Sequence, residues 1–419
     1  MISLRELFRS SSQATHRTLE STFLAVVAIV LGIRFPVKFW LSPPFLMDFH
    51  VYHFAANLIA TGQGHALYRE AYSTGVLYMY APTWAVLWAP LALFSIHHGA
   101  VVWSFVSVGW LVATLWCANR LAEAAGLRVP PWASILTVLL LFRILTEEFG
   151  NGQADLWWGG LTTYFVFCEL RGRSWLAATS LALSMALKLP SAIFLPYLLL
   201  TGRWRTAVRT GACFLVLVTL GALVAAPQHP GSILADWGRC LLATGPPSMF
   251  RIGDQSFTAL LARLLTADGH GLNVLSLNRI TVTIVALIAE AGLFSLIILP
   301  RTRPPRSAAA WVTDAALLMI LMALASPSCW LATYSVLLFP LVLAISLLAT
   351  KFSSIRRDPW SGLFAGLAGL CSILTHSKFW KAAGLVSWRG ETYVFLVFMM
   401  APLLALNLWA FLRRQRRLG

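Results

Sequence analysis

The sequence predicts an all-α polytopic membrane protein that forms one domain over residues 1–419. Its 419 residues are 58% apolar and only 11% charged, and the mean hydropathy is +0.73. Soluble domains carry about 25% charged residues, so this composition excludes an ordinary soluble enzyme. The apolar residues recur in stretches close to the ~20 residues that a membrane-spanning helix needs. Function is then expected at the few polar positions between them.

The pattern of charges and cysteines excludes several other classes. The formal net charge of +16 comes from short basic clusters between apolar stretches, which is typical of cytoplasmic loops and not of a nucleic-acid-binding surface. We therefore expect no nucleic-acid partner. The six cysteines are scattered without a C-x-x-C pair, so they predict neither a metal site nor a disulfide framework. The basic N-terminus precedes an apolar run with no small-residue cleavage site, which predicts a retained anchor.

Apolar stretches predict about twelve transmembrane helices, within a range of 11–13. They lie at roughly 22–41, 99–119, 131–147, 153–170, 174–187, 189–201, 206–225, 279–299, 311–326, 330–349, 360–376 and 391–412. Residues 76–94 form a further apolar stretch, and whether it crosses the membrane decides the side of every later loop. Pro82 and Pro90 interrupt it, which favours a broken re-entrant or surface-lying helix.

Charge bias supports this topology. With 76–94 at the surface and the N-terminus inside, 20 of the 32 Lys and Arg residues fall in cytoplasmic segments. If 76–94 crossed, all but the first basic cluster would lie outside, against the positive-inside rule. The sequence thus predicts a multi-pass protein of the plasma or inner membrane with both termini in the cytoplasm. The two largest outer segments are then 42–98, which contains surface helices, and 226–278.

The unusual polar residues all fall on the predicted outer side. In the first outer segment Asp48, His50, Tyr52 and His53 lie close together in sequence. A carboxylate there can take a proton from an attacking hydroxyl, and partial burial raises its pKa toward a useful value. His50 or His53 would orient Asp48 or bind phosphate. The alternative is a solvated loop with interfacial His and Tyr side chains.

A second polar cluster lies between two predicted spans. It combines the acids Glu147, Glu148 and Asp155 with the amides of Asn151 and Gln153. Asn151 and the glycine after it predict a tight turn, and Asn151 can cap the next helix. A capped hairpin does not by itself explain three acids at the membrane edge.

Cations on the outer side are the third feature. Lys188 could pair with one of these acids or hold a phosphate as a point charge, and the alternative is a side chain that snorkels to the interface. Arg251 and Arg263 are candidates for a phosphate site, because guanidinium binds phosphate in bidentate geometry. Between them, Asp254 or Ser256 can cap a helix. The alternative for this stretch is an amphipathic helix on the membrane surface.

Taken in order, these motifs resemble glycosyltransferase family 87, the DUF2029 group of the GT-C glycosyltransferases, from about residue 45 to about residue 345. The resemblance rests on Asp48 with Tyr52, Gly62 with Leu67-Tyr68, Tyr80-Ala81-Pro82, Asn151-Gly152-Gln153, Leu187-Lys188-Leu189-Pro190, Gly253-Asp254-Gln255-Ser256 with Arg263, and Ser326-Pro327 with Trp330.

The resemblance implies a GT-C fold and an inverting transfer of a hexose, with mannose favoured. The donor would be a polyprenyl-phosphate sugar, and the acceptor a lipid or glycan on the outer membrane face. Asp48 would act as base, with Lys188 and Arg263 near the donor phosphate. The other residues expected to bind substrate are His50, Tyr52, His53, Asn151, Gln153, Asp155, Asp254, Gln255, Ser256 and Trp330. No cofactor or metal is expected, because the leaving group is already a phosphate and no Asp-x-Asp pair is present.

The chain departs from the family pattern at a few positions. Asp254 stands where members often carry Asn, and Ala81 stands in place of the first of two prolines. Ala332 and Thr333 replace a frequent His pair, a change that bears on acceptor handling. The alternative function is a polytopic transporter or a lipid or glycan flippase without transferase activity. That class expects charges at mid-membrane, for which Arg143 is the clearest candidate.

Overall fold

The fold is almost entirely helical in the part of the chain that the structure describes. A computed structural model describes residues 4–41, 47–70, 76–248, 254–266, 274–298, 307–351, 359–374, 401–406 and 408. Within these ranges there is no β-strand. The all-α class predicted from the sequence is confirmed.

Sixteen α-helices and four short 3₁₀-helices make up these described ranges. The α-helices are α1 Leu4–Leu41, α2 Met47–Ala60, α3 Pro82–Trp88, α4 Ile96–Ala124, α5 Ala133–Leu140, α6 Phe142–Asn151, α7 Asp155–Leu170, α8 Ser174–Leu187, α9 Phe194–Leu200, α10 Trp204–Ala225, α11 Pro230–Ser248, α12 Phe257–Leu265, α13 Arg279–Ile298, α14 Ala308–Leu324, α15 Leu338–Lys351 and α16 Pro359–Leu374. The 3₁₀-helices are Gly64–Ala66, Ala89–Leu93, Leu189–Ile193 and Leu331–Leu337.

Among the described residues, five helical segments are long and apolar enough to cross a membrane. They are Thr18–Lys38, Ile96–Ala124, Trp204–Ala225, Arg279–Ile298 and Leu331–Thr350. This identifies the chain as a membrane protein. Other predicted spans are shorter than expected, because 131–147 divides into α5 and α6, and α7 has only 16 residues. The predicted span 391–412 lies mostly outside the described residues.

The helices differ in how deeply they are buried. The Leu331–Thr350 segment is central, because 94% of its apolar stretch of 18 residues is buried. In α13 only 17% of the corresponding stretch is buried. Apolar side chains such as Ile280 on α13 and Leu215 on α10 are 74% and 67% exposed. Large apolar faces of this kind mark a contact surface in a soluble protein and are ordinary where a helix faces lipid.

The stretch predicted at 76–94 as a broken re-entrant or surface-lying helix contains two short helical elements, α3 and the 3₁₀-helix Ala89–Leu93. Helix α3 and the 3₁₀-helix Ala89–Leu93 together are too short to span a ~30 Å core at 1.5 Å per residue. Thr83 Oγ1 donates to the Leu217 carbonyl of α10 at 2.8 Å, and Trp84 Nε1 donates to the Leu183 carbonyl of α8 at 3.1 Å. The apolar side of α3 is therefore buried against α8 and α10.

Close packing of α3 on α10 depends on the absence of a side chain at Gly221. A Cβ at this position would lie 2.4 Å from the Thr83 backbone nitrogen, whereas one at Gly211 of the same helix would meet nothing within 4 Å. Gly221→Ala should therefore destabilise the fold by about 1–3 kcal/mol through overpacking. Gly211→Ala should be neutral or slightly stabilising, because Ala has the higher helix propensity.

Thermal unfolding of the two purified variants in detergent measures this difference. We expect the midpoint to fall by several degrees for Gly221→Ala only. Equal midpoints for both variants would contradict the tight contact between α3 and α10.

Candidate active site

Helix α2 divides the first predicted cluster into two faces. Asp48 and Tyr52 are four residues apart and share one face, since a helix has 3.6 residues per turn. The Tyr52 hydroxyl is hydrogen-bonded to the Tyr80 hydroxyl at 2.8 Å. His50 and His53 fall on the other side of α2. The four residues that are close in sequence therefore do not form one site.

The two histidines have surroundings that suit a structural role. His53 Nε2 lies 3.0 Å from the Phe94 carbonyl oxygen, so it ties α2 to the end of the 3₁₀-helix Ala89–Leu93. Burial, and next the charge of His53, lower the pKa of His50. A neutral imidazole is a weak partner for phosphate, and neither histidine is among the cavity-lining residues described next.

A cavity of about 380 Å³ brings five predicted site residues together. They are Asp48, Gln153, Asp155, Lys188 and Trp330. They come from the start of α2, the α6–α7 turn, the end of α8 and the turn before Leu331. Helix α11 supplies a further wall through Trp237 and Leu241.

The α6–α7 turn positions Gln153 and Asp155. Gly152 ends α6 with a left-handed φ of 65°. The backbone N–H of Gln153 donates to the backbone carbonyl of Glu148 at 2.9 Å. Glu148 Oε1 then accepts from the Leu156 backbone N–H of α7 at 2.7 Å. Asn151 instead donates to Glu147 Oε1 at 3.0 Å. The prediction that Asn151 caps α7 is therefore wrong, because the Glu148 carboxylate accepts the Leu156 N–H at the start of that helix.

Asp48 has the surroundings of a base that works near neutral pH. Its side chain is partly buried and accepts a hydrogen bond from Gln153. Burial raises the pKa of Asp48 to about 6, with a smaller upward contribution from Asp155; the Gln153 hydrogen bond and Lys188 act in the opposite direction. At pH 7 the carboxyl is then largely ionised and still basic enough to accept a proton.

Lys188 is the cation of the cavity wall. Its ammonium group pairs with Asp155 Oδ1 and lies 5.5 Å from the centre of the Trp158 ring. The side chains of Lys188 and Asp155 are only 16% and 4% exposed. A buried cation of this kind requires a partner, and Asp155 supplies it.

Glu148 changes the charge balance of the site. Its side chain is 1% exposed, and its Oε2 atom has no hydrogen-bond partner among the described residues. Burial, and next the charge of Asp155, raise the pKa of Glu148 well above its usual range. A protonated Glu148 leaves one cation, Lys188, against two carboxylates, Asp48 and Asp155.

Residues 254–256 lie behind the cavity and hold one of its walls. The Asp254 carboxylate accepts from the backbone N–H groups of Ser256 at 2.8 Å and Cys329 at 3.1 Å. The backbone N–H of Gln255 donates to the backbone carbonyl of Cys329 at 2.7 Å. These bonds fix the turn that carries Trp330. Burial raises the pKa of Asp254 to about 6, although the bonds from Ser256 and Cys329 lower it.

Arg263 also serves this wall and is not a lining residue of the cavity. Its guanidinium donates to the Asp254 backbone carbonyl, and the residue is 8% exposed. Ser256, not Asp254, caps α12 by accepting from the Ala259 N–H at 3.0 Å. Arg263 was expected beside the donor phosphate. It lies instead behind the cavity wall, bonded to the backbone of Asp254. Arg251 lies outside the described residues.

Three residues of the site were not among those expected to bind substrate or act in catalysis. Tyr80 lines the cavity and bonds Tyr52, and the signal for it was its place before Ala81-Pro82. Glu148 was visible only as one of several acids. Trp237 lines the cavity and donates from Nε1 to the Met79 carbonyl at 3.0 Å. Nothing in the sequence distinguished it from other interfacial aromatic residues.

The described residues contain no group of three or more His, Cys, Asp or Glu side chains arranged to hold a metal ion. The expectation that transfer needs no metal or cofactor stays a prediction. The site as described offers a carboxylate base, a paired cation and an amide within one cavity.

Two comparisons place this chain among known proteins. A polyprenol-phosphate-mannose-dependent alpha-(1-2)-phosphatidylinositol mannoside mannosyltransferase from Mycobacterium tuberculosis (strain ATCC 25618 / H37Rv) is 26% identical over 247 residues. The match covers 54% of this chain and 55% of that relative, so the chain spans about half the relative's length. The family model of Glycosyltransferase family 87 matches residues 78–327, more than half of the chain. Asp48 precedes the matched residues. The chain belongs to glycosyltransferase family 87.

Proposed function

We propose that this chain transfers a hexose, with mannose favoured, from a polyprenyl-phosphate sugar to a lipid or glycan acceptor. The observation that carries the proposal is one cavity lined by a carboxylate and a cation, Asp48 and Lys188. The family and the name of the mannosyltransferase relative support the lipid-linked donor. The reaction needs both groups, because a hydroxyl must lose a proton while a phosphate departs.

In the proposed mechanism the two groups act at opposite sides of the sugar carbon. Asp48 accepts the proton of the acceptor hydroxyl as that oxygen forms a bond to the anomeric carbon. The bond from this carbon to the phosphate oxygen breaks, and polyprenyl phosphate leaves. One displacement of this kind inverts the configuration at the anomeric carbon.

Lys188 stabilises the charge that develops on the leaving phosphate. A phosphodiester carries one negative charge, and the departing phosphate monoester gains a second. A fixed cation in a partly desolvated cavity lowers the energy of that change more than it lowers the energy of the bound donor. We infer that Lys188 donates to the phosphate while it stays paired with Asp155, because an ammonium group has three N–H donors, and that no metal or cofactor takes part.

Gln153 is placed to orient Asp48 and a sugar hydroxyl together. It donates a hydrogen bond to Asp48, while its amide oxygen is buried without a partner among the described residues. A substrate hydroxyl would satisfy that oxygen, because an unmatched buried acceptor is costly. The same residue would then orient both the base and the donor sugar, and the acceptor hydroxyl keeps its one proton for Asp48.

The proposal includes a GT-C fold with about twelve spans, both termini in the cytoplasm and the active site on the outer face. Its support is that the cavity-lining residues lie either in the two large predicted outer segments, at 48–80 and 237–244, or at the predicted outer ends of spans, at 153–155, 185–190 and 326–330. The transporter or flippase alternative rested on Arg143 as a charge at mid-membrane. Arg143 forms an ion pair with Glu147 at 2.6 Å within α6, which is weaker support for that alternative than an unpaired charge.

Replacing the base tests the mechanism directly. Asp48→Asn should reduce transfer from a radiolabelled polyprenyl-phosphate mannose by about 10²–10⁴-fold, the usual contribution of a general base. Donor binding should persist, because the amide keeps the size of the carboxyl. Glu123→Gln, the same chemical change at a site far along α4, is the matched control and should be silent. Transfer by Asp48→Asn within a few-fold of wild type would remove Asp48 from this role.

The pH dependence of the reaction gives a second test. A base acts only when it is deprotonated, so kcat/KM should fall below the pKa of Asp48, about 6, and level off above it. Asp254 titrates in the same range but lies behind the cavity. The variant Asp254→Asn should therefore keep the inflection near pH 6 if it remains folded. A wild-type profile flat between pH 5 and 7.5 would contradict the assignment.

The role of Lys188 can be separated from its structural pairing. Lys188→Gln leaves Asp155 buried without its cation, which should cost on the order of 3 kcal/mol of stability. The double variant Lys188→Gln/Asp155→Asn removes both charges and should regain most of that stability, measured by thermal unfolding. Transfer should remain low in both, because the phosphate still lacks its cation. Recovery of transfer together with stability in the double variant would show that Lys188 serves only the fold.

A further inference from the structure

A second concavity lies on the opposite side of α11 from the candidate active site. It has a volume of about 340 Å³ and is lined by Tyr68, Arg69, Leu77, Asp236, Arg239 and Cys240. On the same helix, Trp237 and Leu241 line the active-site cavity. One helix, about 10 Å wide with its side chains, therefore forms a wall of both cavities.

Two arginines meet at one buried carboxylate in this concavity. Arg69 Nε donates to Asp236 Oδ2 at 2.8 Å, and Arg239 pairs with Asp236 Oδ1. The arginine side chains are 59% and 72% exposed, whereas that of Asp236 is 8% exposed. The three charges sum to +1. Asp236 thus holds two like charges side by side, an arrangement that a second anion would stabilise.

The hydrogen-bonding capacity of the arginines is only partly used by Asp236. A guanidinium has five N–H donors in a planar fork. Arg69 contacts Asp236 through Nε, which leaves its two Nη groups for another acceptor. Arg239 contacts Asp236 through one Nη group. Guanidinium forks of this kind match the oxygens of phosphate in bidentate geometry.

The floor of the concavity is apolar in character. The Tyr68 hydroxyl donates to the Tyr80 carbonyl at 2.6 Å, and the Cys240 thiol lies 3.5 Å from the Tyr78 carbonyl oxygen. The polar atoms of the floor are therefore bound within the protein. A cationic rim over an apolar floor suits a phosphate that is attached to a lipid.

We propose that Arg69 and Arg239 bind a phosphate oxyanion in this concavity, carried by a lipid headgroup or present as free phosphate. Asp236 acts as a positioning residue for the two guanidinium groups. This site uses none of the groups that act in sugar transfer, so it goes beyond the transfer reaction. Its failure and the failure of Asp48 as base are separate outcomes.

Native mass spectrometry of the purified full chain in detergent tests the site. The probes are phosphatidylglycerol, which carries an anionic phosphodiester, and diacylglycerol, which carries no phosphate. Wild type should retain phosphatidylglycerol in preference to diacylglycerol. Arg69→Gln/Arg239→Gln should retain it at least tenfold more weakly, since the variant loses the charge-assisted hydrogen bonds from both guanidinium groups to the phosphate. Arg128→Gln, a change at an exposed arginine outside the concavity, is the matched control and should bind as wild type.

Inorganic phosphate distinguishes the two sources of the anion. If millimolar phosphate displaces the lipid, the oxyanion alone is recognised; if it does not, the site requires the lipid headgroup. Either result supports the site when binding is lost in the double variant. The single variant Arg239→Gln, at the more exposed arginine, guards against misfolding and should weaken binding with an unchanged unfolding midpoint. Equal retention of phosphatidylglycerol by wild type and the double variant, or equal retention of the two lipids by wild type, overturns the proposal.

Discussion

The ion pair between Lys188 and Asp155 is the interaction on which the rest of the candidate site depends. Both side chains are largely buried, where either charge alone would be strongly destabilising. The pair therefore fixes the end of α8 against the start of α7. The start of α7 is bonded in turn to the α6–α7 turn, which carries Gln153. Gln153 donates a hydrogen bond to Asp48. One electrostatic constraint thus aligns three elements that are far apart in sequence.

The same constraint explains how a site with three acids can accept a phosphate. Three ionised carboxylates beside one cation would repel an anionic donor. Burial of Glu148 favours its neutral form, and Asp155 is already matched by Lys188. Of the two ionised carboxylates that line the cavity, Asp48 is then the one without an ion-pair partner among the described residues, and it is also the proposed base. Burial raises the pKa of Asp48, which makes it a better proton acceptor. Because Glu148 is neutral and Asp155 is paired, the unpaired negative charge of the site lies on Asp48.

Much of the fold class and part of the site could be predicted from the sequence. Composition and charge bias gave the membrane class, and motif order gave the family. Prediction was poorest where tertiary packing overrides local pattern. Arg263 was predicted to lie near the donor phosphate, yet its guanidinium donates to the backbone of its own segment. Trp237 enters the cavity only because α11 packs against residues 78–80, and no local signal reports such a contact. Short helices such as α5 and α6 also cannot be distinguished from one longer span by hydropathy alone.

Helix α11 gives these observations a common physical basis. It bonds the 78–80 stretch through Trp237 and Cys240, and it bonds Arg69 through Asp236. Helix α11 of the second predicted outer segment is therefore packed against residues 69–80 of the first, within the described residues. Tyr80 is held there by hydrogen bonds to Tyr52 and Tyr68, which fix the wall beside Asp48. A base with a shifted pKa needs such a wall, because movement that admitted water would return Asp48 to its ordinary pKa.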